Sequence, residues 1–213
     1  MVWIYEGSTS QMKYSKPLIF VLCLLPLANL LYRVITGNIG PDVGKELVLE
    51  TGEWALRFLL LSLAITPLKQ LTKKSLVLRY RRMLGLYAWF YASLHLLVVL
   101  TYLLGWSGSV FVEEFSERPY MALGILAWSM MVPLGITSNR WAQRKLGKRW
   151  KSLHRLVYVI ALVACAHFVW LVRSDFGEAL IYSVVLLALL SFRLFPVLRR
   201  ATSPNAPHLT EGR

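Results

Sequence analysis

The sequence predicts an all-α, polytopic membrane protein: a bundle of six transmembrane helices with both termini in the cytoplasm. Three observations carry that reading. Hydrophobic residues make up 56% of the 213-residue chain and the mean hydropathy is +0.52, leaving too little polar surface for a soluble domain of this size. The apolar residues gather into six blocks of about 17–22 residues, the length that crosses a hydrocarbon core of about 30 Å at about 1.5 Å per residue. Basic and acidic residues segregate to alternate connections between the blocks. Helices satisfy their own backbone hydrogen bonds in lipid, so a helical bundle follows.

The first block, 17–35, comes after Lys13 and Lys16, as a signal peptide would; its apolar run is long, however, and no A-x-A-like site follows it. A retained helix is expected. The second block, 54–68, is the shortest and follows Asp42, Glu46, Glu50 and Glu53. The third, 83–104, follows Lys69, Lys73, Lys74, Arg79, Arg81 and Arg82, with no acid among them. The fourth, 120–137, follows Glu113, Glu114 and Glu117. The fifth, 153–172, follows Arg140, Arg144, Lys145, Lys148, Arg149 and Lys151, again without an acid, and the sixth, 179–198, follows Asp175 and Glu178. This is the positive-inside pattern. The expected layout is a cytoplasmic segment 1–16, one transmembrane domain 17–198 and a polar, disordered cytoplasmic tail 199–213.

The net charge of +13 is therefore a topology signal, and a nucleic-acid partner is not expected. An anionic lipid headgroup or a phosphate-bearing cofactor remains open as a further partner for the basic loops. Cys23 and Cys165 lie in different helices near opposite ends, and read as small packing residues.

Of four histidines, His208 falls in the polar tail and reads as solvated. The other three fall in or beside apolar helices, where an ionisable side chain is a functional hypothesis by default. His95 lies about 12 residues, or about 18 Å, beyond the cytoplasmic start of the third helix, and His167 about 15 residues, or about 22 Å, beyond that of the fifth. The two share a depth and are expected to face one another. Ala88 and Ala92 precede His95 on its face, and Ala164, Cys165 and Ala166 precede His167. Two axial imidazoles in small-residue surroundings suit haem iron; hydrogen bonding between helices without a cofactor is the alternative. Zinc fits less well, because no Cys, Asp or Glu completes a tetrahedral set.

His154 belongs to another layer. On one continuous helix it would lie about 140° around from His167, and the positions opposite it on the third helix are Arg81 and Arg82. A cofactor role and a structural role at the helix end both stay open. Arg57 and Arg173 stand where they could pair with a haem propionate or simply snorkel to the interface. Trp54, Trp106 and Trp170 read as an interfacial belt.

Several stretches carry a family resemblance: Thr51-Gly-Glu-Trp-Ala-Leu-Arg, Ile65-Thr-Pro-Leu, Arg81-Arg-Met-Leu-Gly-Leu, Ser93-Leu-His, Arg118-Pro-Tyr-Met-Ala-Leu-Gly, Thr137-Ser-Asn and Arg144-Lys-Leu-Gly-Lys-Arg-Trp-Lys-Ser-Leu-His. Their order resembles the MsrQ (YedZ) family, within the ferric-reductase-like transmembrane group, from about Thr51 to Arg173. The resemblance implies that His95, His154 and His167 match the family's haem-b histidines and that FMN is a second cofactor. It implies a multi-pass protein of the bacterial inner membrane, which passes electrons from a quinone or a cytoplasmic flavin reductase to MsrP, a periplasmic molybdopterin enzyme that repairs oxidised methionine. Arg82 stands where dihaem members of the wider group carry a further histidine. That departure counts against a conventional second haem and leaves room for flavin near His154 and the basic loops.

The chain is expected to be an electron-transfer subunit without a methionine sulfoxide site of its own. Its outer loops are short and acidic, with no catalytic constellation. No G-x-G-x-x-G fingerprint is present, and 15 residues follow Leu198, so no nicotinamide module is expected. The alternative is a self-sufficient quinol-linked or ferric-type membrane reductase.

Overall fold

The computed structural model describes residues 6–172 and 176–201, with side chains described for 15–172 and 176–193. Every regular element among them is helical: α1 (Glu6–Ile35), α2 (Val43–Thr72), a 3-10 turn (Ser75–Val77), α3 (Leu78–Val98) running into a π-helical segment (Val99–Leu103), α4 (Gly108–Glu117), α5 (Pro119–Ile136), α6 (Arg140–Leu146), α7 (Lys148–Leu153), α8 (Leu156–Leu171) and α9 (Phe176–Ala201). Five stretches are long and apolar enough to cross a membrane: Ser15–Ile35, Ser75–Leu103, Pro119–Ile136, Lys148–Leu171 and Phe176–Arg193. The chain is a multi-pass membrane protein.

The expected second span, 54–68, is not among those five. It lies within α2, which starts eleven residues earlier, where Asp42 caps it by accepting from the Lys45 N–H at 3.0 Å. Glu53, Arg57 and Lys69 dilute its hydropathy. Yet α2 is the hub of the bundle, burying Leu56, Phe58, Leu59, Leu60, Ser62, Leu63 and Ile65. It packs along α3, with Phe58 against Tyr87 and Tyr91 (ring centres 5.6 and 5.2 Å). A helix surrounded by other helices needs less apolar surface than one that faces lipid.

Three α3 tyrosines fasten α1 to this hub. Tyr80 donates to the Ser15 hydroxyl (2.6 Å), Tyr87 to the Phe20 carbonyl (2.8 Å) and Tyr91 to the Cys23 carbonyl (2.9 Å). Tyr91 also accepts from the Leu27 N–H (3.2 Å). Its hydroxyl thereby sits in the α1 ladder beside Pro26, whose ring disrupts the regular turn there. The outward faces of α1 and α9 expose Leu18, Leu22, Leu25, Leu180, Val184 and Leu187, as lipid-facing surfaces do.

Three elements were not expected. The connection assigned to a short acidic loop folds as α4, capped by Ser107. The second basic connection folds as α6 and α7, with Asn139 capping α6 and a left-handed Gly147 (φ 49°) between the two. Short helices of this kind escape an apolar-block reading because they need no spanning length. The break between α7 and α8 falls at His154 and Arg155. The expected block 153–172 therefore straddles a helix junction, and the 140° offset between His154 and His167, which assumed one continuous helix, does not apply.

The opposite end of the bundle carries the acids. Arg33 of α1 is neutralised there by ion pairs to Glu50 and to Glu46, the latter at 3.4 Å. After the π-helical segment the chain turns through two left-handed residues, Gly105 (φ 54°) and Trp106 (φ 59°). Trp106 and Trp170 are exposed at this end, as a belt requires. Trp54 differs: it is half-buried, tilted against Phe58 and covered by the Arg57 guanidinium at 4.9 Å.

Candidate functional site

His95 of α3 and His167 of α8 meet inside the bundle, with ring centres 6.4 Å apart and planes at 79°. Each ring is held by a carbonyl of a different neighbouring helix. His95 Nδ1 lies 2.9 Å from the Val48 carbonyl on α2, and His167 Nδ1 lies 2.6 Å from the Tyr120 carbonyl on α5. A carbonyl can only accept, so the proton of each neutral ring is on Nδ1 and the lone pair is on Nε2. Thr51 adds a second acceptor to His95. Its hydroxyl donates to the Leu47 carbonyl (2.6 Å) and faces His95 Nδ1 at 3.4 Å.

Glycines make both contacts possible. A Cβ at Gly52 would come 3.0 Å from His95 Cε1, and one at Gly124 would come 2.9 Å from His167 Cε1. Neither glycine was singled out in the sequence as a site residue, although both lie in stretches that carry the family resemblance. The expected small-residue neighbours fare unevenly. Ala88 is fully buried and Ala92 packs at the core edge, but Cys165 turns to Ser183 of α9 at 3.4 Å and Ala166 is exposed. Both cysteines are free.

His154 is elsewhere, on the wall of a cavity of about 530 Å³ at the basic end, between α2, α3, α5, α6, α7, α8 and α9. Its ring stacks on Trp150 (centres 3.9 Å, planes 26°) and its Nδ1 donates to the Trp150 carbonyl at 3.1 Å. Arg81, Arg82, Lys151, Arg155 and Arg193 line the same cavity. None of them forms an ion pair among the described residues; Arg193 lies over the Tyr158 ring at 4.7 Å. Trp89, also on the wall, buries an indole N–H with no hydrogen-bond partner there. Its ring is seated on Gly135, where a Cβ would fall 2.4 Å from Cε3. Leu59, Leu86, Met131 and Val157 supply an apolar floor. Cationic edges, flat aromatic walls and an unused donor suit a planar, anionic molecule.

Arg57 is engaged within the bundle: it pairs with Glu53 (2.7 Å) and donates to the Tyr182 hydroxyl (2.7 Å). Arg173 and His208 lie outside the described residues. No cluster of three or more His, Cys, Asp or Glu that could hold a bare metal ion occurs among the described residues.

Known proteins were compared with this chain. The family model described as "Ferric reductase like transmembrane component" matches residues 51–165. The protein-methionine-sulfoxide reductase heme-binding subunit MsrQ of Xanthomonas euvesicatoria pv. vesicatoria is 44% identical over 205 residues, covering 90% of this chain and 94% of the relative. The MsrQ of Xanthomonas campestris pv. campestris is 47% identical over 170 residues, covering 79% and 78%. That of Polaromonas naphthalenivorans is 38% identical over 198 residues, covering 90% of each chain. No solved structure matches.

Proposed function

This chain belongs to the MsrQ family of the ferric-reductase-like transmembrane group, and from that premise we propose that it is a haem-b membrane subunit passing electrons to a methionine sulfoxide reductase. The observation that carries the proposal is the His95–His167 pair, each ring fixed through Nδ1 with Nε2 left for a metal. Metal–imidazole bonds run about 2.0–2.1 Å, and a ring centre lies about 1.1 Å from its nitrogen, so two imidazoles on one metal have centres about 6.3 Å apart. The observed 6.4 Å fits. His95 and His167 would hold the haem iron, and haem bound there would supply one-electron chemistry. The carbonyls of Val48 and Tyr120 orient both rings and raise their basicity.

In this reading six helices span the inner membrane, α2 among them, both termini are cytoplasmic, and residues 17–198 form the working domain. The basic cavity then faces the cytoplasm, where electrons enter from a quinone or a flavin reductase. Arg81, Arg82, Lys151 and Arg155 would hold the phosphate of FMN in that cavity, and Trp150 and His154 would offer it a flat wall. Arg57 and Arg173 are the candidates for steadying haem propionates. Electrons leave at the acid-bearing end to an MsrP-like periplasmic molybdenum enzyme.

Absorbance of the detergent-purified protein tests the core of this. A low-spin haem spectrum, lost in both His95→Ala and His167→Ala, is the expected result. A preparation that stays colourless after haem supplementation overturns it. The name of the matched family model favours a second reading, direct reduction of iron. Reoxidation of the reduced protein by an MsrP-type partner and not by iron chelates separates the two.

A further inference from the structure

Both histidines of the pair are held by one repeated device. Val48 and Gly52 are four residues apart on α2, and Tyr120 and Gly124 are four apart on α5. In an α-helix the carbonyl of residue i accepts from the N–H of residue i+4, and the side chain at i+4 leans back over that same turn. A long side chain can bring its tip to such a carbonyl past the i+4 side chain, as Tyr87 and Tyr91 reach the Phe20 and Cys23 carbonyls past Leu24 and Leu27. A short, ring-edge donor such as imidazole Nδ1 must lie where that side chain would be. Glycine at i+4 uncovers it.

We propose that Gly52 and Gly124 are positioning residues, which bare the Val48 and Tyr120 carbonyls so that the Nδ1–H groups of His95 and His167 can dock on them. The clearances leave no room for a substitute. A Cβ at Gly52 would lie 3.0 and 3.1 Å from His95 Cε1 and Nδ1, and one at Gly124 would lie 2.9 and 3.1 Å from the same atoms of His167. The atoms struck are Nδ1, which makes the hydrogen bond, and its ring neighbour Cε1, so the ring must shift against its carbonyl to relieve the contact. His154 shows the contrast. One of its acceptors, the Trp150 carbonyl, belongs to its own chain turn, and the other, the Leu134 carbonyl, lies in the last turn of α5, where helix carbonyls have no i+4 partner to cover them. Thr51 makes the two halves unequal, since its hydroxyl gives His95 Nδ1 a second acceptor.

This inference rests on reading His95 and His167 as haem ligands. An imidazole whose Nδ1–H is donated to a carbonyl is a stronger donor through Nε2, which favours ferric iron. Gly52→Ala and Gly124→Ala are therefore expected to reach the membrane and unfold at the wild-type temperature, but to release haem about 10–100-fold faster. The haem they retain should show a ferrous-to-ferric ratio raised at least tenfold at a fixed poise, about 59 mV for one electron. Gly108→Ala, in open space, is the control. Wild-type haem release and potential in both variants overturn the positioning role.

Should the alanine variants not accumulate, His95→Gly supplemented with free imidazole or 1-methylimidazole asks the same question. Recovery of the low-spin spectrum at a tenfold lower concentration of imidazole, the one with an N–H to give Val48, is expected; equal recovery overturns the role. Failure of the underlying reading looks different: wild-type protein without low-spin haem, or full haem retention in both His95→Ala and His167→Ala.

Discussion

The two histidine sites of this bundle are built on opposite plans. The His95–His167 site is made by clearance: glycines let two rings settle against carbonyls of neighbouring helices, and the polar atoms left over are the two Nε2 lone pairs. The His154 site is made by display: a ring stacked on Trp150 borders an open cavity with five cations and an unpartnered indole N–H. A site of the first kind fixes ligand geometry, which suits a resident metal cofactor. A cavity of the second kind recognises charge and flatness and exchanges with bulk, which suits a molecule that brings or relays electrons. In the proposed reading the fold separates holding from receiving, with His154 at the α7–α8 break on the receiving side.

The largest expected effect comes from the His95–His167 site. His95→Ala or His167→Ala should remove essentially all low-spin haem, read from the absorbance spectrum, and leave flavin content unchanged. Loss of both cofactors together would mean that the two sites are not independent. Next is the basic cavity. Replacing Arg81 and Lys151 together by Gln removes two charge-assisted contacts worth about 1.5–3 kcal/mol each, so FMN affinity measured by fluorescence quenching should fall at least a hundredfold. The haem spectrum should not move. Unchanged affinity would take the phosphate away from this wall.

Smaller effects test the frame that both sites share. Tyr91→Phe removes the hydroxyl that bridges the Leu27 N–H and the Cys23 carbonyl, i+4 partners that can then bond each other. Loss of the α1–α3 tie should therefore cost about 0.5–1.5 kcal/mol, visible as a lower unfolding temperature in detergent. Glu53→Gln breaks a partly exposed pair with Arg57 and should cost about 0–1 kcal/mol. An equally small effect on haem potential is expected if Arg57 serves α2 packing alone; a clear shift would place its guanidinium at a propionate.

Much of this was legible in the sequence, for identifiable reasons. Spanning blocks and charge bias are one-dimensional signals, so the apolar helices and the partnership of His95 with His167 followed from counting along the chain. What escaped depends on neighbours. The second block reads as the shortest span because Glu53 and Lys69 bound it and Arg57 interrupts it, yet burial among other helices makes α2 the hub. The break at His154 has no proline or glycine to announce it; Gly147 lies seven residues earlier. Gly52 and Gly124 look like ordinary small residues of membrane helices until a ring from another helix is seen lying on them. A glycine four residues after a position level with an intramembrane histidine is the pattern that would have found them. The cavity could not be read at all, since its walls come from seven helices.

The central claim is that the His95–His167 pair and the His154 cavity hold different cofactors independently. Haem and flavin per chain, measured on detergent-purified wild-type, His95→Ala and His154→Ala proteins, test it most directly. One haem in wild type, haem lost and flavin kept in His95→Ala, and haem kept with flavin weakened in His154→Ala is the predicted result. Two haems in wild type, one of them lost in His154→Ala, would contradict it.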